Sequence, residues 1–159
     1  MSEVESIYKS VQKTDIKELK NKDFKSEKEL KDYIILNKEA FCREVLGIEY
    51  KDHRVEYKMP QIKYLYTNEP VIDICFIDQN DLCYFVELKN PKHAYNELCA
   101  GLTQSLAYRY LAGVTDMNYG GSFLVTTKHS GIIPLIIRDN NIDITYIYFD
   151  KTKHSVFHT

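Results

Sequence analysis

Apolar and polar residues alternate most clearly between Val71 and Asn90, where the chain reads VIDICFIDQNDLCYFVELKN. Two apolar runs, Val71–Ile77 and Leu82–Leu88, flank the polar turn Asp78-Gln79-Asn80-Asp81. That pattern predicts a β-hairpin closed by turn-forming residues. Upstream, Ser26-Glu27-Lys28-Glu29 reads as a capping box. The helix it opens is expected to run to about Leu46 and stop at Gly47. On that helix Leu30, Ile34, Ala40, Phe41 and Val45 share one face, with Glu44 inside the face and Glu39 pointing away. Between helix and hairpin, Val55, Tyr57 and Met59 alternate with Arg54, Glu56 and Lys58, which predicts an antiparallel strand with one wet face. Pro60 interrupts that strand, and Ile62–Tyr66 resumes it.

Downstream of the hairpin, Pro91 ends the strand and a helix is predicted from about His93 to Gly113. Gln104 and Tyr108, four residues apart, share a helix face with Gly101 and Leu111. Gly120-Gly121 leads into a predicted strand, Ser122–Thr127. Ile132–Ile137 and Asp143–Phe149 are expected to be further strands around the turn Arg138–Asn141. Residues 1–25 carry Val4, Ile7, Tyr8 and Val11 at helical spacing and read as a loosely attached helical arm. Residues 26–150 then form the domain, and 151–159 a frayed polar tail. His154 and His158, four apart in that tail, read as coincidence rather than a metal site.

A chain of 159 residues is most simply one domain with a core of its own. No window approaches the length of a membrane-spanning helix, so a soluble, cytoplasmic protein with no membrane partner is expected. Cys42, Cys75, Cys83 and Cys99 form no C-x2-C pair and read as small buried hydrophobes. The net charge of −2 argues against a protein that coats nucleic acid. Any nucleic-acid contact would then have to come from a local basic patch, for which Arg54, Lys58, Lys63, Lys92 and Lys128 are candidates.

The hairpin also carries the candidate chemistry. Asp73 stands between Ile72 and Ile74, and Glu87 between Val86 and Leu88, where a core strand would hold hydrophobes. Lys89 follows Glu87 by two residues and so shares its face. Charges so flanked are costly to bury unless paired or metal-bound. The three residues are therefore either a buried ion-pair cluster or a metal site with a lysine beside it. Glu44, on the core side of the first helix, reads from the residues alone as a rim glutamate paired with a lysine.

The arrangement Asp73-x13-Glu87-x-Lys89 resembles the signature of the PD-(D/E)XK, or restriction-endonuclease-like, nuclease superfamily. Pro70 stands three residues before Asp73 instead of next to it, and Glu56-Tyr57-Lys58 is a second E-x-K without a matching aspartate strand. Gln104-x3-Tyr108 on the following helix is similar to a motif that recurs in the superfamily beside the active site. The resemblance covers about Ser26 to Thr127. It implies an α+β or α/β fold with a restriction-endonuclease-like α-β-β-β-α-β core, a mixed central sheet flanked by helices. It also implies a metal-dependent DNA nuclease in which Asp73, Glu87 and the Leu88 carbonyl hold Mg²⁺, with Mn²⁺ able to substitute. Lys89 would position or activate water; Glu44, Gln104 and Tyr108 would support the site or contact substrate. Double-stranded DNA is the expected substrate, and a homodimer is compatible with the family. A junction resolvase, or a non-catalytic DNA-binding or assembly protein on the same fold, are the alternatives. Size and the lysine–isoleucine–tyrosine bias also resemble small nucleases of filamentous archaeal viruses, which would place the protein in a host cytoplasm.

Overall fold

The computed structural model describes residues 12–14, 24–59, 70–149 and 154–157. Ser26 opens the first helix as its sequence dictates, its hydroxyl accepting from the Glu29 N–H at 3.1 Å. Helix α1 spans Glu27–Leu36 and buries Leu30, Tyr33 and Ile34. The long helix expected up to Leu46 is broken at Asn37, whose φ of −108° lies outside the helical range. A short helix α2, Lys38–Phe41, follows, and then a wide π turn, Cys42–Leu46. Gly47 closes this region with a left-handed φ of 71°, as its position after the last apolar residue predicts.

The strands are β1 (Gln12–Thr14), β2 (Tyr50–Lys58), β3 (Val71–Asp78), β4 (Cys83–Lys89), β5 (Tyr119–Thr126), β6 (Thr145–Phe149) and β7 (His154–Phe157). Helices α3 (Ala94–Val114) and α4 (Ile132–Asp139) complete the described elements. The strands form one mixed sheet in the order β1-β7-β6-β5-β4-β3-β2. β2, β3 and β4 are antiparallel neighbours, whereas β4, β5 and β6 run parallel. The order α1-β2-β3-β4-α3-β5 is the α-β-β-β-α-β core, in an α+β fold.

The sheet is packed on both faces. Val86 and Leu88 join Ile74, Phe76 and the α1-to-π-turn residues in one core cluster. Alternation sends Phe85 and Leu124 to the opposite face, among residues of α3 and α4. Among the described residues, no helix is long and apolar enough to cross a membrane.

Three expectations are corrected. Ile132–Ile137 is a helix, not a strand: Ile133, Pro134 and Ile137 are buried at helical spacing. Pro134 lies in the first turn, where its missing N–H costs little, whereas it would break the ladder of a central strand. The arm and the tail each contribute a strand, since Gln12–Thr14 pairs with His154–Val156 and β7 pairs with β6. β2 is an antiparallel edge strand; Tyr57 and, just past its end, Met59 pack against the core as expected, whereas Val55 on the same side is left 40% exposed. The helix expected over Val4–Val11 and the strand expected at Ile62–Tyr66 lie outside the described residues, as does Lys63.

Candidate active site

The hairpin is fixed at its closed end by Asp78. Its Oδ1 accepts from the N–H groups of Asn80 and Leu82, at 2.8 and 3.0 Å, and its Oδ2 from the Tyr84 hydroxyl at 3.1 Å. Asp81 adopts a left-handed φ of 62° in the turn, a conformation aspartate tolerates better than most residues. From there the ladder runs Ile77–Cys83, Phe76–Tyr84, Cys75–Phe85 and Ile74–Val86. The next residues in this register are Asp73 and Glu87, and there the ladder stops. Asp73 Oδ2 instead accepts the Leu88 N–H at 2.7 Å. A carboxylate thus stands where a backbone carbonyl would continue the sheet, and the two acids face each other across the opened end.

Glu87 is only 5% exposed, and its Oε2 is buried with no hydrogen-bond partner. Lys89 Nζ lies 3.5 Å from its other oxygen, Oε1. Burial, then the charge of Asp73, pushes the Glu87 carboxyl up to about 8, while the Lys89 ammonium pulls against both. Burial also raises Asp73, against the favourable Leu88 N–H. One cation cannot satisfy a buried and a half-buried carboxylate together, so the pair is short of positive charge. A buried acceptor without a partner and a mutual carboxylate repulsion are what a hard cation relieves. The donor set therefore fits Mg²⁺, an ion commonly held by one or two carboxylates together with water and substrate phosphate. Among the described residues, no group of three or more acidic, histidine or cysteine side chains forms a complete ligand cage.

Helix α3 overhangs this end of the sheet. Tyr108 is 5% exposed and donates its hydroxyl to the Val71 carbonyl at 3.0 Å. Its phenol is pushed up by burial and by the charges of Glu87 and Asp73, which places it beside both acids. Gln104, expected on the same inner edge, is solvent-exposed, and Ser105 is buried in its place. Four residues turn a helix about 400°, so the pair diverges by roughly 40°, enough at a helix rim to separate buried from exposed.

Glu44 does not reach the carboxylates either. It is exposed on the π turn, with Arg43 4.0 Å away. The break at Asn37 and the wide turn cancel the angular register on which its placement rested. The α1 acid whose charge raises both Asp73 and Glu87 is Glu27, in the first helical turn. Its signal in the sequence was the same capping box, read there for structure alone.

The open end is tied to its surroundings by Asn90, which donates to the Phe24 carbonyl at 2.9 Å and accepts from the Thr127 hydroxyl. Lys128 and Lys92 are exposed beyond this tie. Lys58 is exposed on β2, and Arg54 there is engaged with Asp52 Oδ2 at 2.6 Å.

No family model and no curated protein matches the chain. Among solved structures, the crystal structure of a repair endonuclease from Pyrococcus abyssi is similar over 79% of this chain, with 17% identity and a TM-score of 0.47. The match takes in 47% of that protein, so this chain spans about half its length.

Proposed function

We propose that this chain is a metal-dependent nuclease of the PD-(D/E)XK type that hydrolyses phosphodiester bonds in DNA, double-stranded DNA first. The observation that carries the reading is the opened hairpin end. Two acids from adjacent strands meet there, one with a buried unpartnered oxygen and a lysine 3.5 Å from the other oxygen. A purely structural ion pair would gain nothing from the second carboxylate, which raises the cost of the first.

Asp73, Glu87 and the Leu88 carbonyl would hold Mg²⁺, with Mn²⁺ as a substitute and Glu27 adding charge from α1. The bound ion supplies an acidified water and neutralises charge on the phosphate. Asp73 is held in place by the Leu88 N–H, so its remaining oxygen keeps a fixed direction. Lys89, on its short tether to Glu87, orients the attacking water and stabilises the negative charge that develops on the phosphate. Tyr108, kept neutral by burial and by the charges of the two acids and anchored to Val71, walls the acids from bulk water on the α3 side. Gln104, exposed one turn away, would contact the DNA strand rather than the acids. Lys58, Lys92 and Lys128 would neutralise backbone phosphates, and Arg54 would do so by exchanging Asp52 for phosphate.

Incubation with linear, supercoiled and branched duplex DNA tests the reading, each with Mg²⁺, with EDTA, and with the Glu87→Ala variant. Cleavage of at least one substrate that needs both Mg²⁺ and Glu87 is expected, and the preferred substrate identifies the subclass. Absence of cleavage on all three, or equal rates for Glu87→Ala, would overturn it.

A further inference from the structure

Helix α3 approaches the sheet at Gly101, and its neighbours there are Leu124 and the stem of Lys89. A β-carbon added at Gly101 would meet Lys89 Cε at 3.1 Å and Cγ at 3.3 Å, as well as Leu124 Cδ1 at 2.7 Å. The Gly101 backbone is ordinarily helical, so conformation does not require a glycine. A glycine inside a helix is instead unfavourable relative to alanine. One turn on, Ser105 is 1% exposed and returns its hydroxyl to the Gly101 carbonyl at 2.9 Å, so a second small side chain extends the close approach. A lysine stem has four rotatable carbons and holds no direction by itself. Here it lies against bare helix backbone, with its side chain 15% exposed and its ammonium turned to Glu87.

We propose that Gly101 is a positioning residue for Lys89: the bare backbone of α3 at that turn sets the path of the lysine stem and so the place of its ammonium beside Glu87. The inference rests on the catalytic reading of Lys89. A methyl group at 101 would push Cγ and Cε aside and carry Nζ off its position, while leaving the carboxylates and the exposed lysines where they are. Misplacement of a catalytic group by a fraction of an ångström lowers the chemical step and not substrate binding.

A double-mutant cycle tests it, with wild type, Gly101→Ala, Lys89→Ala and the double variant assayed for kcat and KM on the preferred DNA. Urea denaturation of each in EDTA serves as the folding control. Gly101→Ala should lower kcat about tenfold with KM within about twofold, and cost less than about twofold once Lys89 is already alanine. A kcat loss of the same size in both backgrounds would show a packing effect alone and overturn the proposal, as would full activity of Gly101→Ala. If Gly101→Ala fails to fold, the cycle is run on Leu124→Val, which removes the 2.7 Å overlap but keeps both Lys89 contacts. Failure to fold in that background too would mean that packing alone demands the glycine, and would also overturn the proposal. Wild-type inactivity, or full activity of Lys89→Ala, would instead defeat the nuclease reading.

Discussion

Replacing Glu87 with glutamine should abolish most of the loss of stability that rising pH brings to the metal-free protein. Glu87 is held at about 8 by burial and by Asp73, against an ordinary value of 4.5. Between those values the folded protein keeps a proton that the unfolded chain has released. Unfolding therefore releases a proton in this window, and stability must fall as pH rises through it. The contribution is fully present below about 4.5 and is lost as pH passes about 8. One proton corresponds to a slope of about 1.4 kcal/mol per pH unit, hence several kcal/mol across the window. Asp73 is raised as well, so its contribution has the same sign. Asp52 and Glu97 are lowered by their hydrogen bonds and act oppositely, but in acid, below the window. His129, lowered from 6.5 by burial, also acts oppositely and does so inside the window, on its acid side. The assay is urea unfolding in EDTA at steps between about pH 5 and about pH 8. Above about 6.5, where His129 no longer contributes, wild type should lose stability, and Glu87→Gln should be nearly flat there and the more stable of the two at the alkaline end. Saturating Mg²⁺ should remove the wild-type slope too, because metal binding needs deprotonated carboxylates. Wild-type stability that rises with pH above about 6.5, or parallel slopes for the two proteins there, would refute the reasoning.

Other consequences follow from particular contacts. Asp78→Ala removes the acceptor for two turn N–H groups and the Tyr84 hydroxyl from a residue 6% exposed. A loss of roughly 2–3 kcal/mol is expected by urea denaturation, with kcat per folded molecule unchanged because the site lies at the other end of the hairpin. Gly47→Ala forces a side chain into the left-handed region at φ 71°, in open space, and should cost about 1 kcal/mol without altering any contact. Lys58→Ala should weaken DNA binding and lower the slope of log affinity against log salt by roughly one, leaving kcat intact. Lys89→Ala should do the reverse, which separates the two E-x-K sequences by measurement.

The hairpin, and with it the facing of Asp73 and Glu87, was legible because period-two alternation and a polar turn leave little freedom of register. The Ser26 cap, the Gly47 stop and the α3 boundaries were legible for similar local reasons. What failed depended on accumulated angle or on tertiary contact. Glu44 was placed by a helical wheel that a break at Asn37 invalidates. Gln104 was assigned to the inner edge with Tyr108, yet a few tens of degrees at a helix rim decide exposure, and no spacing rule resolves that. Ile132–Ile137 misled because a β-branched apolar run outweighed its own proline. The close approach of Gly101 to Lys89 could not be read at all, since it exists only once α3 is laid across the sheet.

The central claim is that Asp73 and Glu87 together hold a divalent cation. Electron paramagnetic resonance of free Mn²⁺ during titration of the protein measures this without DNA and without turnover. Wild type should take up Mn²⁺ in competition with Mg²⁺. Asp73→Asn and Glu87→Gln should each weaken uptake by more than the roughly 10–100-fold that loss of a mere supporting contact brings. Lys89→Ala, which removes a competing positive charge, should bind at least as well as wild type. Uptake by Asp73→Asn and Glu87→Gln at wild-type affinity would contradict the account.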